Sequence, residues 1–121
     1  MARYPGLMLR VLAKDHPAMG PGKAQLVELI DATGSISAAA REIGMSYRRA
    51  WQLVDALNAS FKEPVVLTAI GGKRGGGAVV TEFGRALVAQ FRGIEDRASA
   101  AIAADVEQFI QHLRRPPGKS R

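Results

Sequence analysis

The stretch Ser35–Gln52, SISAAAREIGMSYRRAWQ, holds two short helical patterns pinched together at Gly44. Ser37 is read as the N-cap of the first, whose small alanines allow close packing against a neighbouring helix. Gly44 ends that piece, because glycine enters the left-handed conformation that closes a helix without steric cost. Ser46 then caps a second helix running to about Phe61. In it Ala50, Leu53, Val54 and Leu57 recur at spacings of three and four and form one core face. At about 100 degrees per residue Arg48, Gln52 and Asp55 lie opposite, with Tyr47, Trp51 and Asn58 on one flank and Arg49 on the other. Small Ala40 and Gly44 fall at the close contact between the helices, with Ile43, Met45, Ala50 and Leu53 beneath. An exposed, polar amino-terminal end on the second helix is the pattern of a helix-turn-helix. An ordinary αα-hairpin uses glycine turns as well, so the neighbouring segments decide.

Upstream, Leu7–Ala13 reads as a short strand followed by a turn in the breaker-rich DHPAMGPG. From Lys23, the apolar Leu26, Val27, Leu29 and Ile30 fall at helical spacing until Gly34 stops them, a helix of about three turns. Downstream, VVLTAI and AVVT flank GGKRGGG, which predicts a hairpin with a long flexible tip carrying Lys73 and Arg74. Helix, helix, helix, strand, basic tip, strand is the order of a winged helix. From Glu82 to Arg114 there is no proline. Phe83, Leu87, Phe91, Ile94, Ala98, Ile102, Val106, Phe109 and Leu113 form one apolar stripe along a helix of roughly 45 Å. Such a helix overhangs the small domain before it, and the stripe needs a second chain to cover it. Phe83, Leu87, Phe91, Ile94, Ile102, Val106 and Phe109 are therefore the expected homodimer interface, with Gly84 and Gly93 as weak spots or close-approach points. The expected fold is mainly α with a small β-hairpin: a winged helix-turn-helix followed by a long C-terminal dimerisation helix. Residues 1–81 form the first unit, with the recognition helix at about 46–61 and the wing at about 65–81. Residues 82–114 form the long helix, and 115–121 a disordered basic tail.

Composition narrows the function classes. The 121 residues are 47% apolar, and no run approaches the ~18 to 20 apolar residues that span a bilayer. The amino terminus, broken by Arg10 and without a small-residue cleavage site, does not read as an export signal. With no cysteine, disulfides and thiolate metal sites are excluded, and a cytoplasmic location is expected. The net charge of +6 is concentrated at the end, where RRPPGKSR holds four basic residues and no acidic one. Residues 1–113 hold 13 basic against 11 acidic residues, so local clustering has to carry any nucleic-acid reading.

That clustering has specific chemistry. Arg48 can set two donors on the O6 and N7 acceptors of guanine, and Gln52, one turn on, can address adenine. Ser46, Tyr47 and Arg49 are placed for phosphate oxygens, which set register without reading sequence. The competing reading is a solvated charged surface, the common fate of such pairs. Trp51 is read as a half-buried packing residue. The glycines of GGKRGGG let the backbone approach DNA, where Lys73 and Arg74 could grip phosphate or a narrow minor groove; otherwise the tip is a mobile turn. It lacks the GxxxxGK-Ser/Thr pattern of a nucleotide loop. His16 and His112 are far apart without HExxH or carboxylate spacing, and adjacent Glu95 and Asp96 point about 100 degrees apart on a helix. No catalytic residue, metal site or cofactor is expected.

The runs GKAQLVELIDATGSISAAAREIGMSYRRAWQLVDALN and GGKRGGGAVVTEFGRALVAQF resemble the amino-terminal winged-helix domain of the ModE family of molybdate-responsive transcriptional regulators, itself similar to the DNA-binding domain of LysR-type regulators. The resemblance covers about Leu7 to Ile110. It implies a homodimer held by the long helix, DNA reading by Ser46–Gln52 and wing contacts from Lys73–Gly77. Full-length family members carry a C-terminal domain that binds molybdate or tungstate, whereas this sequence stops after the long helix, so molybdate is not an expected ligand. The expected function is a homodimeric regulator that reads double-stranded DNA at an inverted repeat, with molybdenum-related control implied by the resemblance. The alternatives are a protein-interaction module built on the same scaffold and a small oxyanion-binding protein using the glycine-rich tip as an anion nest.

Overall fold

The computed structural model describes residues 6–69 and 77–114. Its elements are β1 (Val11–Ala13), β2 (His16–Met19), α1 (Pro21–Thr33), α2 (Ile36–Ile43), α3 (Tyr47–Ser60), β3 (Val66–Ala69), β4 (Gly77–Val80) and α4 (Glu82–Ile110). The fold is mainly α, with small antiparallel hairpins and a long final helix, as the hydrophobic periods predict.

The first hairpin corrects the expected strand. Only Val11–Ala13 of Leu7–Ala13 is extended into a strand, and the breaker-rich stretch supplies its partner β2. The chain reverses at Lys14, whose φ of 63° is left-handed. Pro17, which has no N–H to give, is accommodated opposite Leu12 where the register slips. α1 also starts earlier than Lys23, because Pro21 occupies the first helical position, where a missing N–H costs nothing. α2 is capped by Ser35 rather than Ser37: the Ser35 hydroxyl accepts from the Ala38 N–H at 3.0 Å, and starting there drives Ile36 into the core.

Leu26, Val27 and Ile30 of α1, Ala39 and Ala40 of α2, and Ala50, Val54 and Leu57 of α3 make the centre of the core. Val65, Val66, Ala78 and Val80 of the second hairpin, and Val88 and Phe91 of α4, close it. β3 and β4 pair with Val66 opposite Val80 and Ala69 opposite Gly77. Alternation buries Val66, Ala78 and Val80 while Leu67 and Val79 face outward.

α4 begins at a cap from Thr81, whose hydroxyl accepts from Gly84 N–H at 2.8 Å and donates to Pro64 O at 2.7 Å. Its first half is fastened to α1. The Arg92 guanidinium makes two bonds to Glu28, at 3.0 and 2.8 Å, and a third to Glu95 at 2.9 Å. Hydrogen bonding to Glu28, then to Glu95, raises Arg92 above its ordinary pKa range against the opposing effect of burial. Glu95 is only 2% exposed and accepts from Arg92, so a residue weighed in sequence for acid–base chemistry belongs to the packing of α4 on α1.

The expected stripe on α4 divides. Phe91 is 2% exposed in the chain's own core, and Phe83 and Leu87 pack half-buried against that core, which removes Phe91 from an interchain face. Val106 is also partly covered from within: a Cβ on Gly6 would lie 3.3 Å from Val106 Cγ1 and 3.4 Å from Ile110 Cγ2. Ile94, Ile102 and Phe109 remain outward, with Leu113 beyond the helix. The helix is not the unbroken rod expected to Arg114, for Ile102 leaves helical geometry at φ −121°, ψ 16°, and regular helix ends at Ile110.

Candidate nucleic-acid interface

α2 ends at Gly44, whose φ of 87° lets its N–H reach Ala40 O at 2.9 Å while Met45 N–H bonds the same carbonyl at 3.0 Å. That closure turns the chain within Gly44–Ser46 and starts α3 at a new angle. Ser46 caps α3 by accepting from Arg49 N–H at 3.0 Å, so its oxygen is engaged while its O–H can still donate outward.

Tyr47, Arg48, Arg49 and Gln52 are all exposed along the first turns of α3, while Ala50, Val54 and Leu57 are buried behind them. Trp51 is half-buried against the core, and Tyr47 meets its ring edge-to-face at 6.1 Å. This pairing orients Tyr47, which is 55% exposed, without burying it.

Asn58, placed in sequence on the flank of α3, joins that helix to the second hairpin. Its amide donates to Val66 O at 2.9 Å, and its oxygen accepts from Val65 and Val66 N–H at 2.8 and 3.1 Å. The base of β3 is thereby set against α3. Lys73 and Arg74 lie outside the described residues.

The structure brings further basic residues beside Arg49 and Gln52. A cleft of about 570 Å³ opens between the first hairpin, the start of α1 and α3, and its wall includes Arg10, His16 and Lys23 beside Arg49 and Gln52. Lys23 Nζ donates to Pro17 O at 2.8 Å. Burial, then the charge of Arg49, lowers the Lys23 ammonium below its ordinary pKa range. Sequence reasoning missed Arg10 and Lys23, since only the packing of the first hairpin and the start of α1 beside α3 brings them to one cleft with Arg49, which no local pattern marks. His16 lies 3.5 Å from Asp15, and His112 is exposed past the end of α4. Among the described residues there is no cluster that could hold a metal ion, and no helix is long and apolar enough to cross a membrane.

Comparison with known proteins adds a family context to this geometry. The chain is 43% identical over 109 residues to the molybdenum-pterin-binding protein MopB of Rhodobacter capsulatus, a match covering 90% of this chain and 39% of that protein. To the molybdenum transport protein ModE of Azotobacter vinelandii it is 36% identical over 85 residues, 70% of this chain and 32% of the relative. To the DNA-binding transcriptional dual regulator ModE of Escherichia coli K12 it is 40% identical over 68 residues, 56% and 26% respectively. Its relatives are ModE and Mop proteins. The chain spans about two fifths or less of their length. No family model matches it.

Proposed function

We propose that the chain is a winged helix-turn-helix regulator that reads double-stranded DNA as a homodimer, with α3 in the major groove and the β3–β4 hairpin as the wing. The observation that carries this is the exposed row Tyr47, Arg48, Arg49 and Gln52 at the start of a helix whose opposite face is core. Arg48 and Gln52 read base edges, and Ser46, Tyr47 and Arg49 hold phosphates. Lys73 and Arg74 at the wing tip are assigned to phosphate or the minor groove, and two symmetric copies address an inverted repeat. The relative named as a DNA-binding transcriptional dual regulator supports DNA as the partner, the relative named as a molybdenum transport protein supports a molybdenum-related setting, and a cytoplasmic location goes with that reading.

Fluorescence anisotropy on duplex from the upstream region of the chain's own gene, against a scrambled duplex at two salt concentrations, tests it. A specific excess of about 10³ or more is expected. Arg48→Ala lowers cognate affinity by about 1–3 kcal/mol and leaves the scrambled duplex nearly unchanged. Equal losses on both duplexes would remove Arg48 as a base reader. The names of the Rhodobacter relatives, which are molybdenum-pterin-binding proteins, favour a second reading in which the chain binds an oxyanion. It requires molybdate to raise the melting temperature in proportion to the logarithm of its concentration; an unmoved transition rejects it.

A further inference from the structure

We propose that the cleft between the first hairpin, the start of α1 and α3 is a seat for one tetrahedral oxyanion, held by Arg10, Lys23 and Arg49. Three basic side chains, Arg10, Lys23 and Arg49, line this concave wall, Arg49 close enough to act on the Lys23 charge, and none of the described lining residues is a carboxylate. Like charges gathered without a counter-ion repel one another, and an anion between them turns that repulsion into attraction. Burial and Arg49 both act against the Lys23 charge, which is the electrostatic state that an arriving anion relieves.

Free donors in the same cleft suit the same ligand. One Lys23 hydrogen is taken by Pro17 O at 2.8 Å, which fixes the ammonium while two hydrogens remain for a guest. The floor of the cleft includes Gly22 and Lys23, whose N–H groups precede the first intrahelical donor, Ala24 N–H to Gly20 O. Gly20 has no side chain to cap them.

A tetrahedral anion here comes from one of two sources, a backbone phosphate of duplex DNA or a free inorganic oxyanion. The first source rests on the DNA-reading proposal above, because a phosphate flanking the groove entered by α3 lies next to Arg49. Arg10 and Lys23 then add phosphate contacts from outside the helix-turn-helix. The second source stands without it.

The test uses the full chain, labelled with nitrogen-15, and inorganic phosphate exchanged against chloride at constant ionic strength. Saturable shifts of the Gly22 and Lys23 amides are expected in the wild type and are lost in Lys23→Gln and weakened in Arg10→Gln, an exposed position whose replacement leaves the core alone. No saturable shift in the wild type, or an identical titration of Lys23→Gln, overturns the seat. The same variants are then titrated onto duplex DNA. A salt slope lowered by about 0.9 per cation removed, with phosphate competing, assigns the seat to a backbone phosphate. An unchanged slope alongside saturable phosphate shifts assigns it to a free anion. If no duplex binds at all, the regulator reading fails while the phosphate titration still decides the cleft.

Discussion

Gly44 is held by conformation and not by space. Its φ of 87° lies in the left-handed region, yet a Cβ built there meets no heavy atom within 4 Å. Gly44→Ala should therefore lower stability by about 1–2 kcal/mol through backbone strain alone, without a clash to reorganise α2 against α3. A urea titration measures the loss. A change much above that range would mean that the turn makes contacts beyond its backbone. This position was legible in sequence because glycine between two periodic segments has few other uses, and Ser46 was legible for the same reason at the next cap. Ser35 was not. Ser35 and Ser37 carry the same hydroxyl, and the choice depends on which start sends Ile36 into the core, a tertiary fact. Arg10 and Lys23 were invisible as partners of Arg49 because they stand 39 and 26 positions earlier in the chain.

At the scale of elements, the coupling of α3 to the second hairpin depends on one amide. Asn58 serves two N–H groups and one carbonyl at the start of β3, and Gly84 lets α4 pass behind the same place. A Cβ on Gly84 would stand 2.5 Å from Val65 O, so the glycine flagged in sequence as a close-approach point is one, but between α4 and the chain's own hairpin. Asn58→Ala leaves the Val65 and Val66 N–H groups without these acceptors and should cost about 1–3 kcal/mol. Hydrogen exchange at Val65 and Val66 should quicken while Leu57 and Val54 amides stay slow; uniform quickening would mean that Asn58 supports the whole core and not the joint. The two β-branched runs around a glycine-rich link foretold the hairpin itself, and the structure turns Val66 and Val80 inward. It could not foretell β2, where Pro17 spoils the local pattern and pairing with β1 restores it.

For the whole molecule, the long helix divides into a half that packs on the protomer and a half that leaves apolar residues outward. Its first half belongs to the protomer, through Phe83, Leu87, Val88, Phe91 and the Arg92 bonds to Glu28 and Glu95. Sequence periodicity showed one stripe from end to end, because a repeat of three and four has no means of marking where the domain underneath stops. Beyond the domain, Ile94 and Ile102 are 39% and 37% exposed and Phe109 is 68% exposed, an apolar row that water covers poorly in a lone chain. A second copy that covers this row would also set two α3 helices at a fixed separation, which an inverted repeat requires. Phe109→Asp places a charge on that row without touching the core. It should shift the protein to a monomer in light scattering while the protomer's circular dichroism and core amide protection persist. Affinity for a full inverted repeat should then fall by about 10²-fold or more as the second half-site ceases to bind intramolecularly, while affinity for a single half-site stays within a few-fold. A variant that remains dimeric would place the interface elsewhere, and a monomeric variant with undiminished affinity for the inverted repeat would separate dimerisation from DNA reading.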